Sequence, residues 1–254
     1  MKRFRRVALV LAVVVVVLVL GALLAGWLAH EPRPPTGRTG DPAEELAGRM
    51  ESSVDLEAWG RTGAITWTFA GRRTHLWDRE RGVVRVVTGG QKALLYAGVA
   101  RGRAYQSGRE ARGPGARELL ETAHEAFIND SFWLNPIAKL RDDGVTLSRV
   151  EAPGPGGLLV EYASGGVTPG DAYLWIVGDD GRPIAWRMWV SIIPIGGVRA
   201  SWEGWRELPT GAWVATTHRG PLGITLALTD LRAAATLEEL LAEAEPDPFA
   251  PLFE

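Results

Sequence analysis

Cysteine is absent from all 254 residues. That excludes disulfides, a thiolate metal site and the acylated N-terminal cysteine of a bacterial lipoprotein. A domain exported to an oxidising compartment is then held together by packing alone. Lysine is scarce, with 3 against 25 arginines, and alanine and glycine abound. Such a bias fits the codon usage of a GC-rich bacterial genome. The net charge is only −2, so the chain has no basic footprint for nucleic acid. Four histidines and no cysteine argue against a transition-metal centre. Also missing are a Gly-x-Ser-x-Gly nucleophile elbow, a phosphate loop and a dinucleotide fingerprint. The expectation is a non-enzyme without a cofactor.

Apolar residues, by contrast, are concentrated at the start. Lys2, Arg3, Arg5 and Arg6 precede an uncharged run from Val7 to Ala29. About 20 such residues cross a bilayer. A cleaved signal peptide would have a shorter apolar core, and Trp27 disrupts the most obvious cleavage site before His30. Residues 1–30 therefore read as a basic cytoplasmic stub and a retained single-pass anchor in the inner (cytoplasmic) membrane. The basic residues stay inside and the C-terminal domain lies in the periplasm or outside the cell. Residues 31–42 form a proline-rich linker, beginning Glu31-Pro32-Arg33-Pro34-Pro35. In polyproline II geometry it reaches roughly 40 Å. Residues 43–236 form the main domain, and 237–254 a short helix and an extended tail.

Asp41-Pro42 followed by Glu44-Glu45 marks a helix start, with the stripe Ala43, Leu46, Ala47, Met50 and Val54 running on to about Ala58. From Ile65 the period changes to two. Strands are predicted near 65–69, 73–78, 82–88, 91–97 and 101–106. A second helix spans about 115–128 and stops at Asn129-Asp130, before a short turn at 131–134. Strands resume near 145–151, 157–163, 173–177, 184–193, 198–207, 211–218 and 223–231. Thr168-Pro169-Gly170-Asp171 is a type II turn signal. The fold class is α+β: one large curved antiparallel sheet, an unclosed β-barrel, with helices on its concave face.

Ten of the 11 tryptophans lie beyond the apolar run. Alternation puts Ile184, Trp186, Met188, Val190 and Ile192 on one strand face, and Val198, Ala200 and Trp202 on a face of the next. One reading is a plain core. The other notes that two helices cannot cover so many strands, which leaves an apolar hollow for a ligand. Its wall would comprise Trp67, Trp186, Met188, Trp202 and Phe127. Trp189 and Trp205, on the opposite face, would suit an envelope protein partner.

Several short motifs carry a resemblance. They are Phe127-Ile128-Asn129-Asp130 with Trp133-Leu134 and Pro136, Gly166-Val167-Thr168-Pro169-Gly170-Asp171 with Tyr173, and Asp180-Gly181 with Pro183 and Trp186. Together with the spaced Trp202 and Trp205, they resemble uncharacterised bacterial envelope proteins of the LolA-type lipoprotein-carrier superfamily, over about residues 43–232. The resemblance implies an unclosed barrel with helices as a lid and an apolar cavity for acyl chains of a lipid or an acylated protein. A sixteen-carbon chain carries roughly 12 kcal/mol of transfer free energy, which only a comparably apolar pocket offsets. The anchor departs from the carriers, because a tethered protein does not shuttle. No ligand-contact residue of that family maps onto this chain.

The titratable candidates each have a plainer reading beside the chemical one. His124, at the edge of the second helix's apolar stripe, would pair with Glu121 or Asp130 if it worked as an acid–base group, and is otherwise a half-buried structural histidine. His75 shares a strand face with Arg73 and Trp77, read as solvated. His218 closes a strand at a turn. Asp142-Asp143 and Asp179-Asp180 are turn acids without the remaining ligands of a calcium loop.

Overall fold

A computed structural model describes Gly26 and residues 30–152, 154, 156–164, 170–241 and 245–254. The apolar run, apart from Gly26, lies outside the described residues, as do Gly166 to Pro169 of the turn motif. Among the described residues no helix is long and apolar enough to cross a membrane.

Helix α1 (Asp41–Ser53) begins with an early proline and has Asp41 and Glu44 in its first turn, where the positive end of the backbone dipole favours acids. It stops short of Ala58 because Asp55 takes a left-handed conformation (φ 50°). The Asp55 carboxylate then accepts the Ala58 N–H at 2.8 Å and caps a separate helix, α2 (Leu56–Arg61).

Six strands follow: β1 (Ala64–Phe69), β2 (Arg73–Asp78), β3 (Val83–Thr88), β4 (Gln91–Tyr96), β5 (Gly102–Gln106) and the short β6 (Arg109–Glu110). Helix α3 (Gly113–Leu134) runs through Asn129-Asp130, where the sequence suggested a stop, and ends only before Pro136. Asp130 does not turn back to cap the helix, because its carboxylate is engaged by the sheet. The remaining strands are β7 (Val145–Val150), β8 (Gly157–Tyr162), β9 (Ala172–Val177), β10 (Pro183–Trp189), β11 (Val198–Ser201), β12 (Glu203–Glu207), β13 (Trp213–Arg219) and β14 (Thr225–Ala234), before α4 (Leu237–Leu240).

The strands form two antiparallel sheets where one was expected. Nine are ordered β12-β13-β14-β1-β2-β3-β4-β5-β6, and five β11-β10-β9-β8-β7. Neither closes on itself. The expected strand 198–207 breaks at Trp202, whose N–H reaches back to the Ile184 carbonyl at 2.9 Å while the chain passes from the smaller sheet to the larger. Each sheet has its own helix. Leu120, Ala123, Phe127 and Leu134 of α3 pack on the nine-stranded sheet, and Ala43, Leu46, Ala47 and Met50 of α1 on the five-stranded one.

The tail, expected to be extended, is docked on the outer face of the larger sheet. Phe249 is fully buried there with Leu237 and Leu240 against Leu76, Val83 and Leu94. Asp247 holds Arg81 at 2.7 Å and accepts the Phe249 N–H at 2.9 Å. Phe249→Leu is expected to lower stability by about 1 kcal/mol in urea unfolding, since the smaller side chain partly fills the site; an unchanged midpoint would mean that the tail contributes nothing.

The proline-rich stretch lies across the outer face of the five-stranded sheet, so its reach of roughly 40 Å is not used. Arg33 and Thr36 bind Glu161, the Gly37 N–H donates to Ser148 Oγ at 3.1 Å, and Arg38 bridges to Arg149. Nearer the apolar run, Glu31 pairs with Arg187 and accepts the Trp189 indole N–H at 2.8 Å.

Candidate functional site

The inner face of the larger sheet is graded in side-chain size. Cross-strand pairing sets Trp67, His75, Val86, Ala93 and Ala104 in one row from β1 to β5. Large rings therefore fill the space under α3 at one end and small groups leave room at the other. A crevice of about 120 Å³ lies there, floored by Val86 and Ala93 and roofed by Leu119, Ala123 and Ala126. The adjacent row supplies its polar mouth: Arg73, Thr88 and Gln91.

Beside the crevice sits a buried ionic cluster. Asp130 and His75 are both fully buried. Arg73 donates to both Asp130 oxygens at 2.7 Å, and His75 Nε2 donates to Oδ2 at 2.8 Å. Burial alone would raise the Asp130 carboxyl; hydrogen bonds from His75 and Arg73 outweigh it and hold the carboxyl below the usual carboxylate range. The hydrogen bonds that Arg73 donates to Asp130 raise the Arg73 guanidinium against the opposing effect of burial. His75 stacks on Trp67 with ring centroids 4.6 Å apart. The strand face read as solvated is thus a core face, made possible by an acid arriving 55 residues later in the chain.

The five wall residues fall into two groups. Trp67 and Phe127 lie in the α3 cluster, while Trp186, Met188 and Trp202 belong to the cluster under α1. Trp133 packs against both clusters. In the second cluster the rings of Trp175, Trp186 and Trp202 stand 4.8–5.0 Å apart, so that the chain's own aromatics occupy the space between sheet and helix. Met188 is only half-buried. Buried indoles usually find an acceptor. Those of Trp67, Trp175, Trp186 and Trp202 have none among the described residues.

The other candidates have structural partners. His124 Nε2 donates to the Ala97 carbonyl at 3.2 Å and pairs with neither Glu121 nor Asp130. His218 is buried between Trp202 and Trp133, with its Nδ1 donating to the Ser201 carbonyl at 3.2 Å. Burial pushes its pKa down to about 4. Trp205 donates its indole N–H to the Pro183 carbonyl at 3.3 Å, and Trp189 is tied to Glu31. No three of His, Asp and Glu come close enough to hold a metal among the described residues. A larger cavity of about 360 Å³ opens on the outer face of the nine-stranded sheet, between Arg85, Lys92 and Arg232 and the docked tail.

The sequence held no local signal for the Arg73–His75–Asp130 cluster, because its members come from a strand and a distant helix. The crevice was readable only from register: small residues Ala93 and Ala104 follow Trp67 and His75 across the strands.

No protein-family model matches the chain, and no curated protein does. Solved structures that overlap it loosely include the following two. A DUF1329 family protein from Desulfovibrio piger is 11% identical, with 76% of this chain and 94% of that one covered at a TM-score of 0.42. A domain classed with outer membrane lipoprotein-sorting proteins, from Vibrio parahaemolyticus, is 11% identical, with 76% and 96% covered at a TM-score of 0.39. Overlaps this loose assign no function, and the chain's own residues carry the reading that follows.

Proposed function

We propose that this is a membrane-anchored envelope protein, non-catalytic, that admits an acyl chain of a lipid or an acylated protein beneath α3. The observation that carries the reading is the graded row under that helix. It ends in an apolar crevice with a guanidinium at the mouth. The floor accepts methylenes, while Arg73, Thr88 and Gln91 suit an anionic or ester head group. Sites for whole ligands occupy about 300–1,000 Å³, so a guest longer than a short acyl segment requires the crevice to widen. The Asp130 cluster fixes α3 to the sheet near the C-terminal end of the helix. The apolar run Val7–Ala29 anchors the chain in the inner membrane, with the basic residues inside and the domain outside.

Titration of full-length protein in nanodiscs with a fluorescent fatty acid tests this. Uptake is expected, and Ala126→Phe, which fills the crevice from its half-exposed roof, should weaken it by about tenfold. Absence of uptake, or full binding by the variant, sinks the reading.

One observation favours an interaction module instead. Leu222, at the tip between β13 and β14, is 99% exposed, and Ile224 beside it is 57% exposed. Loss of a crosslinked partner on Leu222→Asp, with fatty-acid uptake absent, would favour it.

A further inference from the structure

The connection between β10 and β11 forms an apolar foot on the smaller sheet. From Val190 to Val198 it carries no charge: Val190-Ser191-Ile192-Ile193-Pro194-Ile195-Gly196-Gly197-Val198. Ile192 is 72% exposed, and Ser191 and Pro194 are exposed beside it. An apolar tip of this kind costs free energy in water. It is nevertheless held firmly, since the Ser191 N–H donates to Asp171 Oδ1 at 3.0 Å and Ile193 packs into the core under α1.

The same loop grips the chain where the apolar run ends. The Glu31 N–H donates to the Gly196 carbonyl, and the Gly196 N–H donates to His30 Nδ1, both at 3.0 Å. The contact demands glycine. A Cβ on Gly196 would fall 2.5 Å from Trp189 and 2.9 Å from the Glu31 carbonyl, and Gly197 has a φ of 78° with Glu31 equally close. A Cβ added at Gly26, inside the run itself, would lie 3.8 Å from Ile195 Cδ1. His30 follows Ala29 directly, so nothing separates the loop from the point where the chain would leave the bilayer. Trp189 stands at that level with an indole N–H bonded to backbone, the placement aromatic residues take at membrane interfaces. Arg187 and Arg199 face each other across the two strands just behind it, and Arg199 is exposed.

We infer that the Ser191–Ile195 loop inserts into the interfacial region of the leaflet from which the chain emerges. The domain then stands on the bilayer at two adjoining points and does not swing from a tether. This rests on the reading that Val7–Ala29 spans the membrane.

The absence of cysteine supplies the test. Full-length protein with the single substitution Ile192→Cys, or Pro194→Cys as a second exposed site, is labelled with an environment-sensitive fluorophore and placed in vesicles. Arg109→Cys, on the outermost strand of the larger sheet, is the control. Lipid-borne doxyl quencher should dim a label at 192 or 194 by at least about twofold and leave one at 109 unchanged. A loop label that doxyl spares and aqueous iodide quenches overturns the inference. Carbonate extraction of the same vesicles separates the two claims. If the protein stays with the lipid while the loop label is spared, the anchor stands and the foot falls. If carbonate releases the protein, the anchor reading fails and the foot goes with it.

Discussion

Asp130→Ala is expected to lower the unfolding free energy by about 3–5 kcal/mol, the largest loss of any single substitution considered, because it strands buried positive charge. Asp130 is the sole acid contacting both Arg73 and His75 among the described contacts. Without it the guanidinium keeps its charge in a half-buried site and His75 loses the acceptor for Nε2. Replacing the cluster by apolar residues should cost far less than removing the acid alone, since the penalty lies in the unpaired charge more than in the lost attraction. Urea unfolding of Asp130→Ala, and of the combined Arg73→Met, His75→Leu and Asp130→Leu variant, separates the two. Equal losses would show that the cluster works by packing. The pH dependence follows in sign. The folded carboxyl lies below its unfolded value, so its stabilisation is complete above the unfolded pKa of about 4 and drains away as pH falls through the lower folded value.

His218 should act in a separate window. Its folded pKa is about 4, against an ordinary value of 6.5, chiefly because burial between two indoles disfavours the imidazolium. The Ser201 carbonyl and the Glu203 carboxylate oppose that shift without cancelling it. Above pH 6.5 both folded and unfolded chains carry the neutral ring, and the full stability is present. As pH falls from 6.5 toward 4 only the unfolded chain takes up the proton, so stability declines by roughly 3 kcal/mol. His218→Phe should flatten this part of the profile of urea midpoints against pH and leave the steeper fall below it. A wild-type slope in the variant would exclude His218 as the source.

The elements that could be read from the chain are those whose signal is local. Alternation located β2 and β4 to within a residue, and the stripe Ala43, Leu46, Ala47 and Met50 faces the core as its spacing requires. Errors came where one side chain's particular partner overrides the preference of its segment. Asn129-Asp130 looks like a helix stop until Arg73 and His75 claim the acid. Asp55 breaks a helix that the apolar stripe would continue, because its carboxylate serves the next one better. The division at Trp202 depends on Ile184 offering a carbonyl at the right height, which no periodicity records. Alternation sent Trp67, Trp186 and Trp202 inward, where they lie, but also Ile184 and Ile192, which are 49% and 72% exposed because the strand is irregular next to Pro183 and ends at Trp189. Which of them face each other and which border open space is decided by register across strands.

Two open sheets leave four rims, each a place where an unpaired strand of a second copy could add on. Each rim is guarded. Strand β6 is two residues long and both are charged, and β12 presents Glu203, Arg206 and Glu207. Strand β11 has Arg199 pointing to solvent, and β7 is met at Arg149 by a backbone bridge from Arg38. Among the described residues, a second copy approaching any of these rims meets charge or an already bridged backbone, which disfavours edge-to-edge pairing.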